Sequence, residues 1–181
     1  KDFAIFTLGA SAIGTACIGG FTGFFLYLPY STSKSHDKLN NNSFYQKIFE
    51  TPAFKIIYFS AVYVAYEWVK SSGFLGYPWG TVSSALFRWH VITQLASITG
   101  TYGITFIVVM FNAIAAEYFI SYFENATACY KKGIHITAKL YLVLIACVIV
   151  HGVFQYYLPR HPVKTLNTVL VQQNSDPWKT P

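Results

Sequence analysis

Apolar residues run along this chain in stretches longer than a soluble fold uses. Phe3 to Ser33, Val91 to Ala116 and Leu140 to Leu158 contain no Asp, Glu, Lys or Arg. Each is long enough to cross about 30 Å of hydrocarbon as a helix rising about 1.5 Å per residue. A fourth run, Ile56 to Phe74, reaches that length only if Glu67 and Lys70 sit near one end, where long side chains reach the interface. The pattern predicts four spans, at about 3–29, 53–72, 102–120 and 137–158, with Pro29 and Pro159 as stops. In the first span Ala12, Ala16, Gly19 and Gly23 form a small-residue stripe suited to close helix approach. In the second, spacings of three and four put Ser60, Tyr63, Glu67 and Ser71 on one face.

Polar stretches separate these runs. Ser31 to Glu50 is a linker with three lysines, and Ser121 to His135 is a loop carrying Lys131 and Lys132. Thr99-Gly100-Thr101-Tyr102-Gly103 interrupts an apolar run longer than one span needs, so Val91 to Ile98 is expected as a short interfacial or re-entrant piece. Gly100 and Gly103 permit either a kink or close packing. Past Arg160-His161-Pro162 the character changes. Thr165 to Gln172 is short, β-branched and followed by turn formers, which predicts a strand. The chain is therefore expected to divide into a helical membrane domain over 1–160 and a linker with a first strand over 161–181.

Composition agrees with the pattern. Of 181 residues 54% are hydrophobic, 19% are aromatic and only 11% are charged, a balance outside that of soluble domains. The net charge of +6 raises nucleic acid as a partner. The lysines flank apolar segments instead of forming a basic stripe among stacking aromatics, so no nucleic acid is expected. Lys34, Lys38, Lys47, Lys55, Lys131, Lys132 and Lys139 fall on one side of the four-span arrangement, and Lys1, Lys70, Arg88, Arg160 and Lys164 on the other. By the positive-inside bias the first set faces the cytoplasm, and the turn after the second span and the C-terminal tail face outward. The three cysteines are scattered, and the five histidines have no ligand spacing with Cys or carboxylates. Neither a disulfide framework nor a metal site is expected, and no cofactor. The chain opens on Lys1-Asp2 and closes on Lys179-Thr180-Pro181, and is read as a portion of a longer protein.

The densest chemistry lies between Glu67 and Gly80, Glu-Trp-Val-Lys-Ser-Ser-Gly-Phe-Leu-Gly-Tyr-Pro-Trp-Gly. A carboxylate at hydrocarbon depth costs about 2.5 to 3.5 kcal/mol even on lenient insertion scales, so Glu67 needs a partner, a proton or a wet cavity. Two readings stand: it lines an outward-opening cavity and orients a headgroup or an amine, or it is satisfied by Lys70 at i+3 or Tyr63 at i−4. Trp68, Tyr77, Pro78, Trp79 and Tyr102 are candidates to face lipid or substrate, Tyr77, Pro78 and Trp79 either as a gate for entering chains or as an interfacial aromatic belt. His151 and Gln155, one turn apart, form a polar contact across helices or point toward a cavity, and a satisfied buried pair is the default expectation.

Taken in order, Glu67-Trp68, Gly76-Tyr77-Pro78-Trp79, Gln94-Leu95-Ala96, Gly100-Thr101-Tyr102-Gly103, Asn112-Ala113 and Val169-Leu170-Val171-Gln172-Gln173-Asn174 resemble the apolipoprotein N-acyltransferase family, over roughly Tyr63 to Trp178. The resemblance implies an enzyme of the bacterial inner membrane, several helices followed by a nitrilase-like domain on the periplasmic side. It implies transfer of a fatty acyl chain from a phospholipid donor to the α-amino group of the diacylglyceryl-cysteine that begins an apolipoprotein. In that family a Glu, a Lys and a Cys do the chemistry, the Cys carrying the acyl group as a thioester. No residue from 1 to 181 matches those three positions, so no catalytic residue is assigned. Trp178 is the candidate for the family's Trp after the Val-Gln strand, at a shorter distance from Gln172 than the family pattern has. The fold class implied is an all-α membrane bundle with a β-strand stub of a nitrilase-like domain. A transporter or a non-enzymatic membrane subunit is the rival, since a polar residue in a broken helix also marks a substrate path. Polyprenol-linked mannosyltransferase fusions carrying the same domain stay open too.

Overall fold

The computed structural model describes residues 2–34, 48, 50–72, 76, 79–158 and 168–169, with side chains of the first helix described from 8 to 31. Among them the only regular structure is helical. Four long helices, α1 (Asp2–Lys34), α2 (Pro52–Ser71), α4 (Ala96–Phe123) and α5 (Ala128–Tyr157), are joined on one side by a 3-10 turn (Val82–Leu86) and the short α3 (His90–Thr93). The strand expected over 165–172 lies outside the described residues except at 168 and 169.

Three helical stretches are long and apolar enough to cross a membrane, Leu8–Ser31, Ala96–Phe123 and Ala128–Tyr157. The fourth helix, α2, has 20 residues, about 30 Å of rise, but carries Lys55, Glu67 and Lys70. Two of those three groups are turned inward, with Lys55 8% and Glu67 1% exposed. The bundle's polarity is inverted relative to a soluble fold. Ser60, Thr105, Glu117 and Thr137 are buried, whereas Phe21, Phe24, Phe111, Phe119, Leu140, Leu142 and Phe154 face outward. An apolar outer surface of this extent requires a lipid environment, and the protein is a multi-pass membrane protein.

Alpha4 is the axis of the packing. Ile104, Ile107, Met110, Ala113 and Ile114 form one buried cluster with Ile56 of α2, Leu95, and Tyr141 and Val148 of α5. Contacts at the two ends fix the directions. Glu67 near the end of α2 meets Thr105 near the start of α4, and Lys55 near the start of α2 meets Tyr130 near the start of α5. Alpha2 and α4 are therefore antiparallel, and α5 returns so that its last turns lie beside α3, with His90 stacked on Tyr156 at 5.9 Å. Gly152 makes this approach possible: a Cβ there would collide with the carbonyl oxygen of Val91.

Three boundaries differ from the sequence expectation. Alpha1 runs through Pro29 to Lys34 instead of stopping at the proline. Proline removes the N–H that would bond the carbonyl four residues back, here that of Phe25, and Tyr58 of α2 donates its hydroxyl to that oxygen at 3.1 Å. Alpha5 begins at Ala128, so the loop expected over Ser121 to His135 shrinks to a turn that includes Asn125 at φ 49°. Thr127 caps the helix, its side chain accepting from the Tyr130 N–H at 3.4 Å. In the stretch expected to be re-entrant, α3 occupies His90–Thr93 and α4 starts at Ala96, with a break at Gly100. Gly100 has φ 66° and ψ −172°, a region essentially restricted to glycine. A Cβ there would touch nothing within 4 Å, so its role is the break and not close packing.

Candidate functional site at the aromatic end

Glu67 sits one turn before the end of α2, 1% exposed, and both carboxylate oxygens are engaged. Oε1 accepts from the backbone N–H of Val82 at 2.7 Å, and Oε2 accepts from the Thr105 hydroxyl at 2.7 Å. Val82 is the first residue of the 3-10 turn, where N–H groups lack a partner within the helix and attract negative charge. The turn is set up by Thr81, whose carbonyl accepts from Ser84 Oγ at 2.6 Å and whose hydroxyl meets Ser83 Oγ at 3.1 Å.

The partners expected for Glu67 are not the ones it takes. Lys70 lies over the Tyr66 ring, 5.6 Å from its centroid, and Tyr63 packs edge-on against Tyr66. The carboxylate points away from its own helix surface into the bundle. Its role follows from what it connects: the end of α2, the first residue of the 3-10 turn, and the start of α4. The first residue of the 3-10 turn is tied to the end of α2 by a charge-assisted hydrogen bond. Thr105 and the Val82 N–H were not visible from spacing, because neither belongs to the helix that carries the acid. The only local hint was the Thr81-Val82-Ser83-Ser84 string, which has the composition of a cap.

Around this clamp the aromatic side chains are open. Trp79 is 72% and Trp68 58% exposed, and Phe87 and Trp89 of the following segment also face outward. Tyr102 is half-buried at the start of α4's regular part. Tyr77, Pro78 and Trp178 lie outside the described residues. Bulky amphipathic rings gathered at one end of a bundle match the level where headgroups begin. His151 and Gln155 line an outward crevice of about 520 Å³ on α5. The His151 Nε2 is buried with no hydrogen-bond partner among the described residues, so the expected satisfied pair is not what forms at that nitrogen. Between α1 and α2 a second crevice of about 600 Å³, bordered by Phe21, Phe25, Val62, Tyr66 and Val69, is almost wholly apolar. It reaches Val69, next to the exposed Trp68.

Comparison with known proteins places these features in a family. The profile of the apolipoprotein N-acyltransferase N-terminal domain matches residues 2–114. The apolipoprotein N-acyltransferase 2 of Treponema denticola is 35% identical over 98% of this chain. Its namesake from Treponema pallidum is 33% identical over 99%, and the apolipoprotein N-acyltransferase of Borreliella burgdorferi is 26% identical over 84%. The chain spans about three-tenths of the length of the first two, 31% and 28%. No solved structure matches it. On the family match over residues 2–114 and these relatives, the chain belongs to the apolipoprotein N-acyltransferase family.

Proposed function

We propose that this chain is the membrane platform of an enzyme that moves a fatty acyl group from a phospholipid to the α-amino group of the N-terminal diacylglyceryl-cysteine of bacterial lipoproteins. Family membership carries the reading. In this proposal the enzyme resides in the inner membrane, and the chain past α5 enters the periplasm and begins a nitrilase-like domain at the strand over 165–172. The Glu, Lys and Cys of the chemistry lie outside residues 1–181. The Cys thiolate attacks the donor's ester carbonyl, the lysophospholipid leaves as the thioester forms, and the lipoprotein amine then takes the acyl group and frees the thiol.

The role of residues 1–158 in this scheme is positional. Alpha5 ends beside α3, at the same end as Trp79. The clamp at Glu67 fixes Val82 and the start of α4 to the end of α2, and the apolar crevice between α1 and α2 offers a lateral path for acyl tails toward that end. In this proposal Trp68, Tyr77, Pro78, Trp79 and Tyr102 are the residues assigned to face lipid or substrate, and Trp178 is assigned to the water-side domain.

The test uses the full-length protein in phospholipid vesicles with a diacylated lipopeptide. The expected product is the N-acylated lipopeptide together with lysophospholipid. Trp79→Ala is expected to slow its formation several-fold with an unchanged unfolding midpoint, since Trp79 is exposed and has little packing to lose. Absence of acylated product from the full-length protein would remove the enzymatic reading in favour of transport or a subunit role. Unchanged rates for Trp79→Ala would leave the ring as a belt residue only.

A further inference from the structure

A second buried carboxylate occupies the opposite end of the same helices. Glu117 of α4, 1% exposed, accepts from the Tyr30 hydroxyl of α1 at 2.8 Å through Oε1. Its Oε2 accepts from the Tyr130 hydroxyl of α5 at 2.7 Å. Lys55 of α2 donates to Tyr130 Oη at 3.4 Å and lies 5.2 and 5.3 Å from the ring centroids of Tyr30 and Tyr130. Each long helix contributes one side chain.

The cluster is complete on the acid side and open on the basic side. Glu117 has a donor on each oxygen, and the Tyr130 hydroxyl gives its proton to Glu117 and accepts from Lys55. The Lys55 ammonium, 8% exposed, has three N–H donors and, among the described residues, one long hydrogen bond and no ion pair. One hydrogen bond and two ring faces hold this buried cation and leave two N–H donors for a further acceptor. Beside it lies a cavity of about 430 Å³ whose wall includes Lys55, Glu117, Tyr27, Thr127 and Glu124, with both Glu117 oxygens already taken by the tyrosine hydroxyls.

We propose that this cavity binds the headgroup of a zwitterionic, amine-bearing glycerophospholipid, with its phosphate on Lys55 and its ammonium toward Glu124. Depth favours a lipid over a soluble anion. Lys55 and Glu67 are twelve residues apart on α2, as are Glu117 and Thr105 on α4, a separation of about 18 Å at helical rise. Within about 30 Å of hydrocarbon the two polar clusters occupy opposite halves of the bilayer. The cavity lies where α1 and α4 finish and α2 and α5 begin, the level of the headgroups, and Lys131 and Lys132 stand in the first turns of α5 there. The carboxylate of Glu124, exposed at the end of α4, makes no hydrogen bond among the described residues and lies on the same wall. This lipid belongs to the leaflet opposite the aromatic turn and is a resident of the fold, distinct from any acyl donor used at the other end.

The experiment is native mass spectrometry of the delipidated full-length protein titrated with phosphatidylethanolamine, phosphatidylglycerol and diacylglycerol of the same chains. One saturable phosphatidylethanolamine, beyond any bound as acyl donor at the other end, is expected to be lost, at least tenfold in affinity, in Lys55→Gln and recovered in Lys55→Arg. Diacylglycerol, lacking the phosphate, is expected to bind wild type and Lys55→Gln alike. Glu124→Gln changes an exposed side chain and keeps the fold, so it decides the matter should Lys55→Gln misfold. It is expected to erase the preference for phosphatidylethanolamine over phosphatidylglycerol. Equal phosphatidylethanolamine binding by wild type and Lys55→Gln, or an unaltered preference in Glu124→Gln, overturns the proposal. Displacement of the lipid by millimolar inorganic phosphate overturns its lipid identity in favour of a soluble anion.

Discussion

Replacing Glu67 by alanine is expected to lower the stability of the protein by about 3 to 5 kcal/mol, the range for breaking a buried charged contact from one side. The loss has two parts. The Thr105 hydroxyl, fully buried, and the Val82 N–H both lose their acceptor, and a buried polar group left unpaired costs about 1 to 3 kcal/mol. The methylenes of the side chain also leave space between α2 and α4. Glu67→Gln is expected to fall between wild type and alanine: its single amide oxygen accepts from one donor while its amide nitrogen confronts the other. Thr105→Val removes one donor and is expected to cost less than Glu67→Ala. The double-mutant cycle between them is expected to give a coupling of about 1 to 3 kcal/mol. Unfolding in mild detergent followed by tryptophan emission reads all four proteins. A coupling near zero would mean that the carboxylate and Thr105 do not hold each other.

Glu117→Ala is expected to be as severe, about 3 to 5 kcal/mol, for a different reason. Its removal leaves the Tyr30 and Tyr130 hydroxyls without an acceptor and leaves Lys55 as a buried cation with no negative charge behind the Tyr130 hydroxyl. The second effect can be isolated. Adding Lys55→Met to Glu117→Ala is expected to restore part of the stability, because an apolar side chain replaces a stranded charge. Tyr30→Phe removes one donor and leaves Lys55 its other contacts, so about 1 kcal/mol is expected. If Lys55→Met lowers the stability of the Glu117→Ala protein further, the ammonium is not compensated through this cluster.

The helical architecture was legible because a bilayer imposes length and polarity on the chain directly. Runs free of charge marked three helices, and the lysines of the polar stretches marked one end of the bundle. The Thr99 to Gly103 string marked the break, which the structure puts at Gly100. Boundaries were misjudged where a distant side chain decided them. Nothing local says that Pro29 is tolerated within α1, since the group that answers it, the Tyr58 hydroxyl, is in another helix. The start of α5 was missed although Thr127 has a capping side chain, because Lys131 and Lys132 gave that stretch the composition of a loop.

The buried acids show the same division. Spacing singled out Glu67 as an acid in an apolar helix, but spacing compares residues of one helix and so offered Tyr63 and Lys70 as partners. The partners come from a turn and from the next long helix. Glu117 lay within an expected span and satisfied the same criterion, that an ionisable group at hydrocarbon depth marks a site. Its companions Tyr30, Lys55 and Tyr130 are spread over 100 residues, and only the antiparallel packing of four helices brings them together.

The central claim is directional: Trp79 and the end of α5 share one face of the membrane, opposite the end that carries Lys55, Lys131 and Lys132. Single cysteines placed by Trp79→Cys, Leu158→Cys and Lys132→Cys, in a protein whose Cys17, Cys129 and Cys147 are replaced by serine, can be probed in intact cells with a maleimide that does not cross the membrane. Labelling is predicted at positions 79 and 158 alike, with position 132 reacting only after the cells are opened. Labelling of 79 and 158 from opposite faces, or of 79 and 132 from the same face, would contradict it.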